Sequence, residues 1–306
     1  AARMDKQHFS GILAAGGAFV AWGLLPVYWK SLAAVPAFEI MCHRVVWSAG
    51  LTALLLLGSA AGRAELGAAL RSRRDLGLLA VSSSVVGVNW FMYIWSVNAG
   101  HVLEASLGYY LNPLVNVFLG MVFFRDRLRP VQALALGLAA AGVAVQVVAL
   151  GRLPWLALGM AVTFGLYGMV RKLMTVGALP GLFVETAVLT LPAGGYLGWL
   201  LAHGQGGFLH LGPGLDLLMV GAGAVTTVPL LAFTFGARRI TLTTLGVLQY
   251  LGPTGMFLLG VLAYGEPFGP AHALTFAFIW AGVVLYTAEG AWRLRAVRKL
   301  ATAGRP

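Results

Sequence analysis

Apolar residues run along this chain in stretches of about twenty, separated by short polar connections and not interleaved with a polar face. A stretch of that length, wound as a helix at 1.5 Å per residue, spans the ~30 Å hydrocarbon layer of a bilayer. Ten are predicted, near 9–29, 36–58, 76–98, 102–124, 129–150, 154–173, 180–203, 215–236, 242–265 and 270–290. The predicted fold class is an all-α integral membrane protein, and the connections leave no room for a soluble domain. The first stretch follows a short basic leader and so imitates a signal peptide. It is long, carries Trp22, Pro26 and Trp29, and has a counterpart later in the chain, so it reads as a retained helix. Ala1 to Arg3, ahead of Met4, read as a cloning remnant.

Composition agrees: 59% of the 306 residues are hydrophobic and 10% charged, against roughly 25% charged in soluble domains. A net charge of +11 would fit a nucleic-acid binder until the basic residues are located. One alternating set of connections and termini holds Arg3, Lys6, Arg63, Arg71, Arg73, Arg74, Arg125, Arg127, Arg129, Arg171, Lys172, Arg238, Arg239, Arg293, Arg295, Arg298, Lys299 and Arg305. The other set holds only Lys30 and Arg152, and Arg44 lies within a span. Basic residues collect on the cytoplasmic side of membrane proteins. Eighteen against two therefore predicts both termini inside, an even number of spans, and no nucleic-acid partner. Residues 291–306 form a basic cytoplasmic tail. The single Cys42 excludes an internal disulfide and a cysteine zinc site, and no metal or cofactor is expected.

Shifting the chain by 140 residues lays 110–143 on 250–283 with eleven identities in 34 ungapped positions. Tyr110, Leu111, Pro113, Leu119, Gly120 and Pro130 meet Tyr250, Leu251, Pro253, Leu259, Gly260 and Pro270. Ala133, Leu134 and Ala141–Gly142–Val143 meet Ala273, Leu274 and Ala281–Gly282–Val283, and Asp126 falls on Glu266. At an offset of 145, Phe19, Trp22 and Gly23 match Phe164, Tyr167 and Gly168. The expected organisation is two five-helix repeats, 9–150 and 154–290. Five is odd, so the second copy enters from the opposite side, the inverted arrangement of many secondary transporters.

Polar residues within the spans mark the candidate site, because a charge at the bilayer centre costs roughly 2.5–3.5 kcal/mol unless it is paired or hydrated. The second span carries Glu39, His43 and Arg44, with Glu39, His43 and Trp47 at successive i, i+4 positions. Arg44 lies about 12 Å along the helix from Pro36, too deep to reach the interface easily. Two readings are open: a cationic anchor for a solute carboxylate with His43 beside it, or an internal Arg–Glu bridge. Glu185 in the seventh span is a partner for Arg44 or a proton carrier, and Glu104 a helix-N-terminal acid or a transport residue. Glu266 reads as a solvated turn residue. Asn89, Trp90 and Tyr93 give the third span a polar–aromatic face; Asn112, Asn116 and Gln249 are mid-span amides that must find hydrogen-bond partners. Thr226 and Thr227 are placed to bond their own helix carbonyls. Pro113 and Pro253 sit at matched mid-helix positions, freeing the carbonyls of Tyr109 and Gln249, and are the hinge candidates. The small-residue ladders Ala133, Gly137, Ala141 and Ala273, Ala277, Ala281 are expected to be helix-packing faces.

At these residues the chain resembles the RarD-type permeases, of the EamA branch of the drug/metabolite transporter superfamily. The resembling strings are Ala21–Trp22–Gly23 with Pro26, Tyr28 and Lys30; Glu39–Ile40 with His43–Arg44 and Trp47–Ser48; and Asn89–Trp90 with Ile94–Trp95 and Val97–Asn98. They continue through Leu103–Glu104–Ala105–Ser106–Leu107–Gly108–Tyr109, Asn112–Pro113–Leu114–Val115–Asn116 and Thr226–Thr227–Val228–Pro229–Leu230–Leu231. Gln249–Tyr250 with Gly252–Pro253–Thr254, and Tyr264–Gly265–Glu266, complete the set. The resemblance implies ten helices as inverted repeats around a central cavity, in a bacterial-type inner membrane.

The expected function is secondary transport, by alternating access, of a small metabolite or drug-like solute, with export the commoner direction in the superfamily. Arg44, His43, Asn89, Trp90, Tyr93, Tyr109, Asn112, Gln249 and Tyr250 are the expected binding residues, and Glu185, Glu104 and His43 the coupling candidates if protons drive it. No nucleotide-binding GxxxxGK[ST] signature is present, so the energy source is expected to be a gradient. An intramembrane enzyme is the second class, disfavoured by the lack of an HExxH motif or a mid-span acidic pair; a membrane sensor or scaffold is the third. The residues specify a class of carrier, not its solute or its oligomeric state.

Overall fold

A computed structural model describes residues 2–125, 129–240 and 242–303. Asp126, Arg127 and Arg305, used in the alignment and the charge tally, lie outside them. Among the described residues the chain forms twelve α-helices and no strand. They are α1 (Ala2–Ser31), α2 (Ala37–Leu57), α3 (Ala60–Arg71), α4 (Arg73–Asn98), α5 (Val102–Phe124), α6 (Pro130–Leu150), α7 (Trp155–Lys172), α8 (Ala178–Ala202), α9 (Pro213–Ala237), α10 (Leu242–Leu248), α11 (Leu251–Leu258) and α12 (Pro270–Ala303). A π-helical turn, Leu259–Ala263, continues α11. In hydrocarbon a helix is favoured because it satisfies its backbone polar groups internally.

The helix ends follow local chemistry. Pro130 and Pro213 open α6 and α9, where a missing N–H costs nothing. The Ser59 and Ser72 hydroxyls accept the N–H groups of Gly62 (3.0 Å) and Asp75 (3.2 Å) to start α3 and α4. Gly151, at φ 66°, ends α6 in the left-handed conformation. The connection between the second and third expected spans is thus itself helical, and α3 packs Ala69 with Leu79 of α4 and Val184 of α8.

Nine helical stretches among the described residues are long and apolar enough to cross a membrane. Helix α7 is not among them: it has 18 residues and ends on Arg171 and Lys172. Its Trp155 nonetheless packs against Trp95 of α4 at 6.0 Å, and its Arg171 reaches Glu185 of α8, so it lies along its neighbours at both ends. The predicted ninth span is not one helix. It is interrupted at Gln249 and Tyr250, between α10 and α11, and loosens into the π turn.

Helix neighbours recur in matched pairs. α1 packs on α9 and α4 on α7; α1 on α11 and α5 on α7; α2 on α9 and α4 on α8. Three further contacts join α2 to α8, α5 to α11 and α6 to α12. Exchanging α1, α2, α4, α5 and α6 with α7, α8, α9, α10–α11 and α12, in order, maps these pairs onto one another, whereas among the described residues α1–α4, α4–α5 and α5–α12 have no comparable counterpart.

The α6–α12 contact corrects the small-residue ladders. Ala133, Gly137, Ala273, Ala277 and Ala281 are exposed and Ala141 is half-buried. The packed faces are Ala135, Ala139 and Gly142 against Thr275, Ile279 and Gly282. A side-chain carbon on Gly142 would meet the Thr275 carbonyl oxygen at 3.0 Å, and one on Gly282 the Ala135 carbonyl oxygen at 2.8 Å. These two contacts are equivalents of one another, since 135 and 275 differ by the same 140 residues as 142 and 282. Regular spacing therefore named the wrong stripe: small residues tolerate close packing but also line lipid-facing surfaces without cost.

Gly282→Ala is accordingly expected to force α6 and α12 apart and cost about 1–3 kcal/mol. Gly137→Ala, at a position with open space around it, is expected to be neutral or slightly stabilising. Thermal unfolding of both variants in one detergent compares them.

Candidate functional site

Helix α2 begins after Pro36, so Glu39 falls in its first turn and Arg44 near its middle. Arg44 is buried, and its guanidinium lies over the Trp90 ring of α4 at 4.1 Å and the Trp29 ring of α1 at 5.3 Å. The phenols of Tyr109 and Tyr93 are within electrostatic range of it. Tyr93 and Tyr109 meet edge-to-face at 5.8 Å, and Tyr109 meets Phe164 of α7 at 6.0 Å. Four helices of the first half thus build an aromatic cage round one cation, closed on the far side by α7. The Nε and Nη1 atoms of Arg44 have no hydrogen-bond partner. Cation–π contacts contribute about 2 kcal/mol when desolvated, less than the several kcal/mol of burying a cation. The cage therefore favours an anion at those two nitrogens.

The internal Arg–Glu bridge does not form. Glu39 instead turns to the α8–α9 connection, where its carboxylate accepts the N–H groups of Gly207 (2.7 Å) and Phe208 (3.2 Å). Gly206, at φ 99°, gives the bend that aims those N–H groups at it. Its Oε1 is also 4.0 Å from His43 Nε2. His43 Nδ1 accepts from Trp47 Nε1 at 3.2 Å, and its ring packs against Phe208 at 4.8 Å. His43 thus belongs to a latch between α2 and the α8–α9 connection, one residue but a different helix face from Arg44.

Glu185 is not the partner of Arg44 either. It forms an ion pair with Arg171 of α7 at 3.6 Å and accepts hydrogen bonds from Tyr167 at 3.2 Å and from Ser82 of α4. Arg171 fits because Gly181 of α8 has no side chain: a carbon there would collide with the guanidinium. Asn89 bridges helices, donating to the Met160 carbonyl (3.0 Å) and Thr163 hydroxyl (2.9 Å) of α7. Asn112 sits one turn beyond Tyr109 on the same face of α5, with its Oδ1 buried and unpartnered. Thr226 bonds its own helix at the Ala222 carbonyl, whereas Thr227 Oγ1 is buried without a partner.

Tyr250 stands in a second aromatic group. It stacks on Tyr110, its counterpart in the repeat alignment, at 6.2 Å and 17°, and bonds Thr287 at 3.2 Å. Gln249 precedes it in the break between α10 and α11. The matched prolines do not sit alike. Pro113 lies inside continuous α5, while Pro253 lies near the start of α11 just after the interruption. Its carbonyl accepts the Ser106 hydroxyl at 2.8 Å.

Glu266 is not a solvated turn residue. Its two oxygens accept the N–H groups of Val102 and Leu103, both at 2.7 Å, and so cap α5 from the α11–α12 connection. Beside it Tyr264 lies under the Lys30 ammonium at 4.1 Å, joining α1 to the end of the π turn. Glu104 lines a hollow of about 180 Å³ among α5, α6 and α12, with Gln146, Arg152 and His272.

Sequence reasoning missed Trp29, Phe164, Phe208, Ser82, Tyr167 and Arg171. Trp29 was legible as an interfacial aromatic and Arg171 as a topological charge; their partners lie on other helices, beyond any local pattern.

Comparison with known proteins is consistent across the chain. Residues 9–148 match the model of the EamA-like transporter family. The chain is 48% identical over 280 residues to an "Uncharacterized transporter" of Vibrio cholerae, covering 92% of each. It is 44% identical over 287 residues to the "Protein RarD" of Streptomyces exfoliatus, covering 93% of this chain and 90% of the relative. One solved crystal structure shares the fold at a TM-score of 0.57 and 23% identity, over 91% of this chain and 97% of that one.

The Glu185 network yields a stability test. Arg171→Leu leaves a buried carboxylate without its cation and is expected to cost about 3 kcal/mol or more, whereas Arg171→Leu with Glu185→Leu recovers most of it. Thermal unfolding of the two single variants and the double variant measures this coupling.

Proposed function

The chain belongs to the EamA-like transporter family, on its RarD branch, and from that premise we propose that it is a secondary-active carrier of a small solute bearing an anionic group. It is a multi-pass inner-membrane transporter. The observation that carries the finer reading is Arg44: a buried cation caged by aromatic rings, with two donor nitrogens unpartnered. The solute carboxylate or phosphate takes the place that an internal carboxylate would otherwise hold, and Trp90, Tyr93 and Tyr109 cover its apolar part. Asn112 and Thr227 offer further polar atoms to groups along the path.

We take the ten-crossing, inverted-repeat organisation as part of the same proposal, with both termini cytoplasmic. The exchange symmetry of the helix contacts supports it, as do the reciprocal Gly142/Gly282 contact and the stacking of Tyr110 on Tyr250. Alternating access needs equivalent halves in non-equivalent shapes. Continuous α5 against interrupted α10–α11 is such a difference. Closure at one end of the bundle is carried by Glu39 on the Gly207–Phe208 backbone and by Lys30 on Tyr264. At the other it is carried by Glu185 with Arg171. Glu185 is the proposed coupling carboxylate, since its partners are a cation and two hydroxyls that can separate as helices move, and export is the proposed direction.

Two measurements test this. Screening small carboxylates and phosphates, with their uncharged esters, against the detergent-solubilised protein should yield a stabilising acid whose ester fails. Its affinity should fall roughly tenfold or more in Arg44→Gln. Equal stabilisation of both proteins overturns the anchor. In proteoliposomes, collapsing the proton gradient should abolish uphill movement of that acid, and Glu185→Gln should lose uphill movement while retaining exchange; unchanged uphill movement removes proton coupling.

A further inference from the structure

The 180 Å³ hollow lies apart from the Arg44 cage, between the first turns of α5 and α12 and the last turn of α6. Its polar wall is Glu104, Gln146, Arg152 and His272, and Leu107 and Phe276 form its apolar side. Glu266 also borders it, but both its oxygens are taken by the α5 N–H groups. Gln146 is 4% exposed, and its Oε1 has no protein donor. A buried acceptor left unpaired costs about 1–3 kcal/mol, so this wall calls for a donor from outside the chain. Glu104 and Arg152 both act electrostatically on His272, which fixes one carboxylate and one guanidinium around the same small space.

A ligand that satisfies this wall must carry both signs. An anion alone meets Glu104, a cation alone meets Arg152, and a neutral apolar molecule leaves Gln146 unpaired. The volume is below the roughly 300 Å³ at which drug-sized pockets begin, so the ligand is small or only its head enters. We propose that this hollow binds a zwitterion made of a primary ammonium and an oxyanion, with the ammonium at Glu104 and Gln146 Oε1 and the oxyanion at Arg152. The chemistry has two sources: a free amino acid, or the headgroup of a phosphatidylethanolamine whose chains lie against the bundle. The hollow's position at helix termini brings it to headgroup level. The site is independent of the Arg44 reading.

The test is thermal unfolding of the detergent-solubilised full chain with phosphatidylethanolamine, phosphatidylglycerol, free phosphoethanolamine and L-alanine. At least one zwitterion should raise the midpoint, and phosphatidylglycerol should do so less. The concentration needed should rise roughly tenfold or more in Glu104→Gln and in Arg152→Gln, each of which removes one charged hydrogen bond. Arg152→Lys, which keeps the charge and guards against misfolding, should retain most of the effect, and Arg44→Gln all of it. A response to the lipid alone identifies the headgroup as the source; a response to the soluble probes identifies a free zwitterion. The proposal is overturned if no zwitterion shifts the midpoint, if phosphatidylglycerol acts as well as phosphatidylethanolamine, if the shift survives both pocket variants, or if Arg44→Gln abolishes it.

Discussion

Inside a bilayer a polar group that lacks water must find its partner within the protein, and most of this structure follows from how each buried polar group answers that demand. Asn89 finds a carbonyl and a hydroxyl on α7; Glu39 finds two backbone N–H groups; Glu185 finds Arg171, Tyr167 and Ser82. Each solution crosses between helices, so satisfying the group also ties the bundle together. Arg44 differs from these three. It is screened by aromatic faces and left with unpartnered donors, the feature on which the proposed solute site rests.

The second organising feature is the pairing of equivalents. Close approach of α6 and α12 through Gly142 and Gly282, each against the carbonyl seven residues back on the opposite helix, gives a tight seam that is the same from either side. Around this seam and the Tyr110–Tyr250 stack the halves differ: α5 is continuous and its counterpart is broken at Gln249. In the proposed alternating access, such a seam would let the difference pass from one half to the other without being remade.

The same demand separates the latches from the cage. Glu39, Glu185 and Glu266 lie within a turn or two of helix ends, where a carboxylate can reach a connection or the start of a neighbouring helix. Arg44 and Tyr93 lie deeper, where only side chains of other spans are in reach. In the proposed carrier the groups at the ends open and close, and the mid-span cation holds the solute.

The sequence by itself determined the membrane class, nearly every helix, and the residues whose burial would be costly, because hydrocarbon imposes length and apolarity on each segment separately. It also carried the family, through strings spread along the whole chain. It did not determine which stripe of α6 meets α12, that Glu39 and Glu185 turn away from Arg44, that Glu266 caps α5, or that Tyr250 stacks on Tyr110 and not on the cage. Those are pairings between helices remote in sequence. On a helix that is apolar all round, periodicity does not say which side faces lipid and which faces protein. Only the packed bundle decides that, since what selects a partner is the shape and charge of a neighbouring helix.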